Sequence, residues 1–338
     1  MRELTLVAPG KLEWRDVAPP RLESATDAIV RPIVATTCDL DAPMIRGAVP
    51  YPLPIALGHE FVAEVVEVGG EVRSIEAGCR VIVPFQIACA GCRRCRAGLT
   101  ASCESVPRLS MYGFGAAGRN CGGALSDLVR VPFADGMLVP APKEVALEAL
   151  ASASDNLPDA FRTVGPPLRE NPGANVLVVG GIGSIPLYAA GMAHALGAGR
   201  VDYLDTDPGR LRIAEALGAH AIEGPPPKRA GAYAITVDDS KDPAGLACAL
   251  RSLEPNGVCT SLGIYFAETP LPLLDMYTRG VRFFTGRVNA RAEIPHVLEL
   301  VASGRFHPEL VNSEVVPWHE AAEALARPTL KPVFVRAG

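Results

Sequence analysis

Four cysteines lie within fifteen residues of one another, at a spacing that suits a single metal ion. They follow the pattern C-x2-C-x2-C-x7-C and are Cys89, Cys92, Cys95 and Cys103. Because the loops between them are short, the four thiolates can converge on one tetrahedral zinc ion. Two disulfides are the alternative, but they would require an oxidising compartment. The pattern therefore predicts a zinc site.

A glycine turn predicts a dinucleotide site. The apolar run 176–179 leads into Gly181-Ile182-Gly183-Ser184-Ile185-Pro186, which reads G-x-G-x-x-P where the usual fingerprint is G-x-G-x-x-G. Glycines allow the backbone to approach a pyrophosphate closely, and the next helix offers its N-terminal amides to the anion. A plain tight turn is the alternative interpretation.

The position of a carboxylate favours the dinucleotide interpretation. The strand after the glycine turn is expected to end at Asp205, twenty-four residues beyond Gly181. A carboxylate there can accept hydrogen bonds from both ribose hydroxyls of NAD and would repel the additional phosphate of NADP. We predict NAD as the cofactor, with Asp207 as the second candidate for the ribose contact.

Cys38, His59 and Glu60 offer a thiol, an imidazole and a carboxylate for a second metal. A lone cysteine or histidine is more often structural than a ligand, so the prediction depends on the combination of these residues with the family resemblance given below. A catalytic zinc takes three protein ligands and leaves one position open for water or substrate.

The patterns of apolar residues predict two kinds of domain. Residues 1–140 are rich in β-branched runs separated by Gly/Pro turns, which favours a partly closed antiparallel barrel. Residues 141–286 alternate strands and helices, which favours a doubly wound parallel sheet. Residues 287–338 add a helix and a final apolar run, 332–335, that we expect to complete the first domain.

Composition excludes several classes of protein. A net charge of −5 argues against a nucleic-acid partner, since phosphate binding needs a basic face. The uncharged stretch 173–199 contains a proline and seven glycines, and we assign it to a strand, a turn and a helix, not to a membrane span. The N-terminal segment lacks the apolar region of a signal peptide, and five cysteines lie outside the quartet, so we expect a cytoplasmic protein.

Taken together, these motifs resemble the medium-chain, zinc-dependent alcohol dehydrogenase family along essentially the whole chain. Gly58-His59-Glu60 matches the family's G-H-E motif, and Cys38 lies twenty-one residues before the histidine. The cysteine quartet matches the family's structural zinc lobe. The resemblance implies an α/β protein with a GroES-like β-barrel catalytic domain and a Rossmann cofactor domain.

The resemblance also implies roles for individual residues. Cys38 and His59 would bind the catalytic zinc, with Glu60 as an occasional ligand, Asp155 as the third ligand and Asp41 orienting the histidine. A helix N-cap is the alternative role for Asp155. In the cofactor site, the residues expected beside Gly181, Gly183 and Asp205 are Ser184 in the turn, Ile185 behind the nicotinamide, Arg210 at the adenosine ribose and Lys331 at the pyrophosphate.

Three positions depart from the family pattern. Leu40 and Pro43 stand where family members usually carry Ser or Thr and often His, which pass the alcohol proton to solvent, and Asp39 replaces a residue that is often basic. Asp39, Glu60, a water molecule or the substrate itself would have to take over the proton transfer.

The predicted function is interconversion of an alcohol and its aldehyde or ketone with NAD(H) and zinc, in a homodimer or homotetramer. Two alternatives remain open. One is a reaction without net redox change that uses tightly bound NAD, and the other is a redox-inactive binding protein on the same scaffold.

Overall fold

The computed structural model describes residues 1–327 and 329–336. Antiparallel strands predominate in the first part of the chain, and parallel strands predominate in the middle. In chain order the strands are β1 (Arg2–Ala8), β2 (Lys11–Asp16), β3 (Ala28–Thr36), β4 (Ile55–Ala56), β5 (Glu60–Val68), β6 (Arg80–Ile82), β7 (Val129–Val131), β8 (Val139–Pro140), β9 (Val176–Val179), β10 (Val201–Asp205), β11 (His220–Glu223), β12 (Tyr233–Asp238), β13 (Leu253–Ser261), β14 (Arg282–Thr285), β15 (Glu314–Pro317) and β16 (Pro332–Val335).

The helices are mostly short. In chain order they are α1 (Asp41–Ile45), α2 (Arg93–Arg96), α3 (Ala134–Met137), α4 (Leu147–Leu150), α5 (Asn156–Glu170), α6 (Ile185–Ala195), α7 (Pro208–Ala216), α8 (Pro243–Arg251), α9 (Leu273–Arg279), α10 (Ala290–Ala302) and α11 (Ala321–Leu325). None of the helices in the described ranges combines the length and the apolar character needed to cross a membrane.

The first compact unit contains Met1–Pro158, Asn289–Ala302 and the described part of Asn312–Gly338. One sheet in it has the strand order β15-β16-β3-β5-β6-β8, with β7 also pairing to β3, and a second sheet has the order β2-β1-β4. All pairs are antiparallel except β15 with β16. Most residues of β3 and β5 are buried, so these two paired strands belong to the core of the first unit.

The second compact unit contains Asp159–Val288 and Ser303–Val311. Its sheet has six parallel strands in the order β11-β10-β9-β12-β13-β14. β9 and β10 are buried throughout, as expected for strands covered by helices on both faces. The doubly wound parallel sheet predicted from the strand–helix alternation is confirmed.

The helix that opens after the glycine turn shows why Pro186 is tolerated there. α6 begins at Ile185, so the proline lies in the first turn, where a missing N–H leaves no helical hydrogen bond unmade. The division into domains 1–140, 141–286 and 287–338 stays a prediction about functional domains.

Candidate active site and metal centres

The ends of two neighbouring strands bring Cys38 and His59 to the same place. β3 ends two residues before Cys38, and β5 begins directly after His59. The strands are antiparallel, and Thr36 lies opposite Glu60 in their register. The thiol and the imidazole, twenty-one residues apart in sequence, therefore emerge at one edge of the sheet.

Ser154 places Asp155 beside this edge. The Ser154 hydroxyl accepts a hydrogen bond from the amide of Phe61 and donates one to its carbonyl, both at 3.0 Å. The Ser154 carbonyl also accepts from the amide of Phe85 at 3.3 Å. The segment before α5 is thus attached to β5, and the Asp155 carboxylate lies 3.4 Å from Nε2 of His59.

Cys38, His59 and Asp155 form a set of donors that fits a metal ion. One ligand atom from each lies within 4.8 Å of the others. His59 is fully buried, and neither of its ring nitrogens has a hydrogen-bond partner among the described residues. A buried polar atom without a partner is destabilising, and a metal at Nε2 would satisfy it. Sulfur, nitrogen and oxygen donors in a set of three match catalytic zinc.

Asp41 supports both Cys38 and His59. Its Oδ2 accepts a hydrogen bond from the Cys38 amide at 2.9 Å, and its Oδ1 faces Nδ1 of His59 at 3.7 Å. A carboxylate facing Nδ1 favours a proton on that nitrogen and leaves Nε2 to act as the ligand. Burial raises the pKa of Asp41, while the His59 imidazole lowers it.

The protein surroundings favour protons on Cys38 and His59 when no metal is bound. Burial alone lowers the pKa of His59, but the carboxylates of Asp41 and Asp155 outweigh burial and raise it to about 9. Burial, and after it the charge of Asp155, raise the pKa of the Cys38 thiol well above its ordinary value. A metal that binds here must therefore displace protons.

Glu60 lies next to this group and is paired with a lysine. Its Oε1 accepts from the Asn156 amide at 3.2 Å, and its Oε2 accepts from Nζ of Lys331 at 2.9 Å. Lys331, which is fully buried in the first unit, also donates to the carbonyl of Thr37. Burial raises the pKa of Glu60 to about 8, although Lys331 lowers it. A ligand role for Glu60 and a pyrophosphate role for Lys331 stay predictions.

Further residues around the site carry weak sequence signals. The His59 ring packs against Phe114 at 4.8 Å and Phe85 at 5.6 Å between centroids. The Asn156 side chain donates to Asp39 at 3.3 Å. Ser154 and Asn156 flank Asp155 in sequence, but their roles depend on which strand they touch, and the sequence does not show this.

The cysteine quartet forms a second convergent set of donors. The ligand atoms of its four members lie within 4.8 Å of one another, and no disulfide links any cysteine in the described part of the chain. Backbone amides already point at the sulfurs: Cys92 N donates to Cys89 Sγ at 3.2 Å, and Cys95 N to Cys92 Sγ at 3.4 Å. Amides directed at sulfur are suited to thiolates that hold zinc.

Hydrogen bonds to Cys92 favour its thiolate. The amides of Glu104 and Cys95 donate to its sulfur and lower its pKa to about 6. Cys95 is affected in the opposite direction, because burial raises its pKa. The Cys92 sulfur is therefore ready to bind a metal near neutral pH, whereas the Cys95 thiol must lose its proton when a metal binds.

The predicted cofactor residues lie in the second unit. Gly181 follows β9. No larger residue fits in its place, because a Cβ at this position would lie 2.1 Å from the carbonyl oxygen of Asp239. Gly183, Ser184 and Ile185 are buried and lead into α6. Asp205 ends β10, the next strand, as predicted. Arg210 forms a two-pronged ion pair with it, with hydrogen bonds of 2.8 and 2.7 Å.

Comparison with known proteins gives the same picture. Residues 24–143 match the model of the alcohol dehydrogenase GroES-like domain. The chain is 31% identical to the alcohol dehydrogenase from Thermus sp. ATN1, with a TM-score of 0.90 and complete coverage of both chains. The chain belongs to the medium-chain, zinc-dependent alcohol dehydrogenase family. The family predicted from the sequence is confirmed, and so is its fold, with a GroES-like domain and a Rossmann-like sheet.

Two curated relatives also match along nearly the whole chain. One is a zinc-type alcohol dehydrogenase B from Aspergillus flavus, 27% identical over 346 residues, covering 96% of this chain and 77% of the relative. The other is a probable zinc-binding alcohol dehydrogenase from Mycobacterium tuberculosis, 27% identical over 333 residues, covering 96% and 85%. As a member of this family, the protein is an oxidoreductase that acts on small alcohols or carbonyl compounds with zinc and a nicotinamide cofactor.

Proposed function

We propose that this protein interconverts an alcohol and its aldehyde or ketone, with zinc held by Cys38, His59 and Asp155 and with NAD(H) as the redox partner. The observation that carries the proposal is the convergence of these three donors around a buried histidine nitrogen that has no hydrogen-bond partner. Zinc held by these residues would supply Lewis-acid chemistry toward the substrate oxygen, and a nicotinamide cofactor would supply hydride exchange with the substrate carbon.

The protein's own groups hold the donors in place. Asp41 directs the proton of the imidazole to Nδ1, and the Ser154 hydroxyl holds the chain segment that carries Asp155 against β5. The packing of His59 against Phe114 excludes water from one face of the imidazole. These contacts keep the donor atoms in one geometry before the metal arrives, which is the condition for strong binding of a specific ion.

The alcohol proton needs a route that differs from the one usual in the family. Leu40 and Pro43 carry no group that can bind a proton. The Asn156 side chain donates to Asp39 at 3.3 Å, and the Asn156 amide donates to the buried Glu60 at 3.2 Å, so these three residues form a polar group beside the donors. We propose that Asp39, Glu60 or a water molecule accepts the proton.

We propose NAD as the cofactor in preference to NADP. Asp205 ends the strand after the glycine turn, which is where a carboxylate can accept the ribose hydroxyls of NAD. The negative charge of Asp205 opposes a 2′-phosphate.

We also propose that the protein is a homodimer or homotetramer and that it works in the cytoplasm. Large apolar side chains are exposed on α9 and on β14, the edge strand of the parallel sheet; they include Leu273, Leu274, Tyr277 and Phe284. Exposed apolar side chains along a strand edge favour association. Light scattering after gel filtration tests this, and a monomer at micromolar concentration would contradict it.

The function is tested with a panel of alcohols and aldehydes, NAD(H) and NADP(H), followed at the NADH absorbance band. Zinc per chain is measured on the same samples. We expect NAD-dependent turnover that disappears when the metal at Cys38 is removed, and loss of one zinc and of activity in Cys38→Ser and Asp155→Ala. Asp135→Ala is the matched control, because that carboxylate is bound to Ser74 in the same unit, at 2.6 Å.

Full activity in a zinc-free protein would contradict the proposal. Formation of NADH in a single turnover without net NADH in the steady state would favour the alternative in which tightly bound NAD serves a reaction without net redox change. Absence of dinucleotide binding and of turnover would favour the redox-inactive binding protein.

A further inference from the structure

The strand order of the second unit places a crevice between β9 and β12. From β9 the chain proceeds to β10 and β11 on one side, and from β12 to β13 and β14 on the other. Val179 and Asp238, the last residues of β9 and β12, lie side by side in register. In doubly wound sheets, ligands bind beyond the carboxyl ends of the strands where the order reverses. One wall of this crevice is the glycine turn, and the other is the turn 239–241.

A buried carboxylate holds the second wall. Asp238 is fully buried, and its Oδ1 accepts hydrogen bonds from the hydroxyl and amide of Ser240 at 2.6 and 3.2 Å. Its Oδ2 accepts from the hydroxyls of Ser261 and Tyr265, both at 2.9 Å. Burial raises the pKa of Asp238, and these three hydroxyls oppose that shift by stabilising the ionised form.

Tyr265 reaches Asp238 from a segment beyond the neighbouring strand. It follows β13 in a loop, and its hydroxyl lies both on Asp238 and 3.3 Å from the carbonyl of Asp242, at the start of α8. Its phenol therefore connects the loop after β13, the end of β12 and the first turn of α8. Each of these three segments borders the turn 239–241.

The turn that this group holds is closely fitted to the glycine turn. A Cβ on Gly181 would lie 2.1 Å from the carbonyl oxygen of Asp239, and a Cβ on Gly245 would lie 2.2 Å from Oγ of Ser240. Lys241 has a φ of +56°, which residues other than glycine rarely adopt. A strained backbone of this kind persists where its surroundings determine it, and such places are often ligand sites.

We propose that Tyr265 is a positioning residue for the dinucleotide, acting through Asp238 to hold the turn 239–241 against the glycine turn. This inference rests on the proposed use of a nicotinamide dinucleotide. Without the phenol hydroxyl, the turn can move away from Gly181 and the crevice loses its fit to the cofactor. The residue does not touch the substrate, so the effect falls on cofactor binding and not on the chemical step.

The test compares Tyr265→Phe with Tyr233→Phe in the zinc-loaded protein. Both substitutions remove a phenol oxygen that donates to a buried aspartate, but Tyr233 donates to Asp202, at 2.8 Å, near the amino ends of β12 and β10 and away from the glycine turn. Calorimetric titration with NAD and NADH gives Kd, and steady-state kinetics give KM for NAD and kcat. We expect Kd and KM for NAD to rise about fivefold in Tyr265→Phe, as loss of one hydrogen bond would produce, with kcat within about twofold.

Thermal unfolding is measured on every variant, because a purely structural role would lower the melting temperature without separating KM from kcat. Should Tyr265→Phe fail to fold, Ser261→Ala removes another hydroxyl from the same oxygen of Asp238, and we expect a rise in Kd in the same direction. A Kd and a KM for NAD in Tyr265→Phe equal to those of Tyr233→Phe would overturn the inference.

The outcomes separate this inference from the proposed function. If the wild-type protein binds NAD but turns over no alcohol or carbonyl compound, the proposed function fails, and the comparison of Kd values still decides the role of Tyr265. If the wild-type protein binds neither NAD nor NADP, the cofactor assignment and the inference are both overturned.

Discussion

The guanidinium of Arg210 covers the carboxylate of Asp205. Its Nε donates to Oδ2 at 2.8 Å and its Nη2 to Oδ1 at 2.7 Å. The Tyr203 hydroxyl also donates to Oδ2, at 3.2 Å, and the Asp207 amide to Oδ1, at 2.9 Å. Each oxygen thus already accepts two hydrogen bonds, so a ribose diol that binds Asp205 must displace at least one donor.

This ion pair predicts that Arg210 moderates the choice between NAD and NADP. Arg210→Ala would leave the charge of Asp205 unshielded and remove the cation that could meet a 2′-phosphate. We expect the ratio of kcat/KM for NAD to that for NADP to increase about tenfold, which corresponds to about 1.4 kcal/mol. Arg212→Ala, an exposed arginine on the same helix, is the control, and an unchanged ratio in Arg210→Ala would contradict the role.

The raised pKa values at His59 and Cys38 predict that zinc binding at this site depends on pH. In the metal-free site the pKa of His59 is about 9, so the imidazole holds a proton at neutral pH that zinc must displace. The apparent affinity for zinc should therefore rise with pH up to about 9. Titration against a competing chelator between about pH 6 and pH 8 measures this. A flat profile would show that His59 is not a ligand.

The thermal stability of the metal-free protein should fall as the pH rises, whereas the affinity for zinc should rise. A histidine whose folded pKa is raised from 6.5 to about 9 contributes stability that is fully present below pH 6.5 and is lost as the pH rises through about 9. The melting temperature of the zinc-free protein should fall across this window, and His59→Gln should reduce the fall. His307→Gln, which changes an exposed histidine, should leave the fall in place.

The cysteine quartet is predicted to stabilise the fold without taking part in the reaction. Cys92→Ser should remove one zinc per chain and lower the melting temperature by about 10 °C, because the loop loses its cross-link. At temperatures below the melting temperature of this variant, kcat and KM should stay close to the wild-type values. Cys121→Ser, a thiol outside the quartet, should change neither the metal content nor the melting temperature by a comparable amount. A zinc content equal to that of the wild type would rule the site out.

The buried pair of Glu60 and Lys331 is predicted to be sensitive to the loss of one partner. Lys331→Met leaves the Glu60 carboxylate buried without its cation, which should cost about 3–5 kcal/mol of unfolding free energy. The double variant Glu60→Gln/Lys331→Met removes both charges and should recover most of the loss. Denaturant unfolding measures both, with Lys143→Met as the exposed control. A single variant as stable as the double variant would contradict a charge pair.

The sequence was sufficient to predict a feature wherever that feature depends on residues that are close together along the chain. The spacing of the four cysteines and the position of Asp205 after the glycine turn are local features, and short loops or a single strand–helix unit decide their geometry. The strand–helix alternation predicted the parallel sheet for the same reason. The ends of β10 and β16 coincide with those expected from the sequence.

Tertiary structure decided which distant residues meet. Lys331 reaches Glu60 because β16 pairs with β3, and Asp155 reaches His59 because the hydroxyl of Ser154 is bonded to β5. The group around Asp238 likewise joins residues from three segments. The sequence alone thus determined the family, the candidate donors and the glycine turn. Only strand pairing and packing, which bring segments distant in sequence together, decided which charge each buried carboxylate faces.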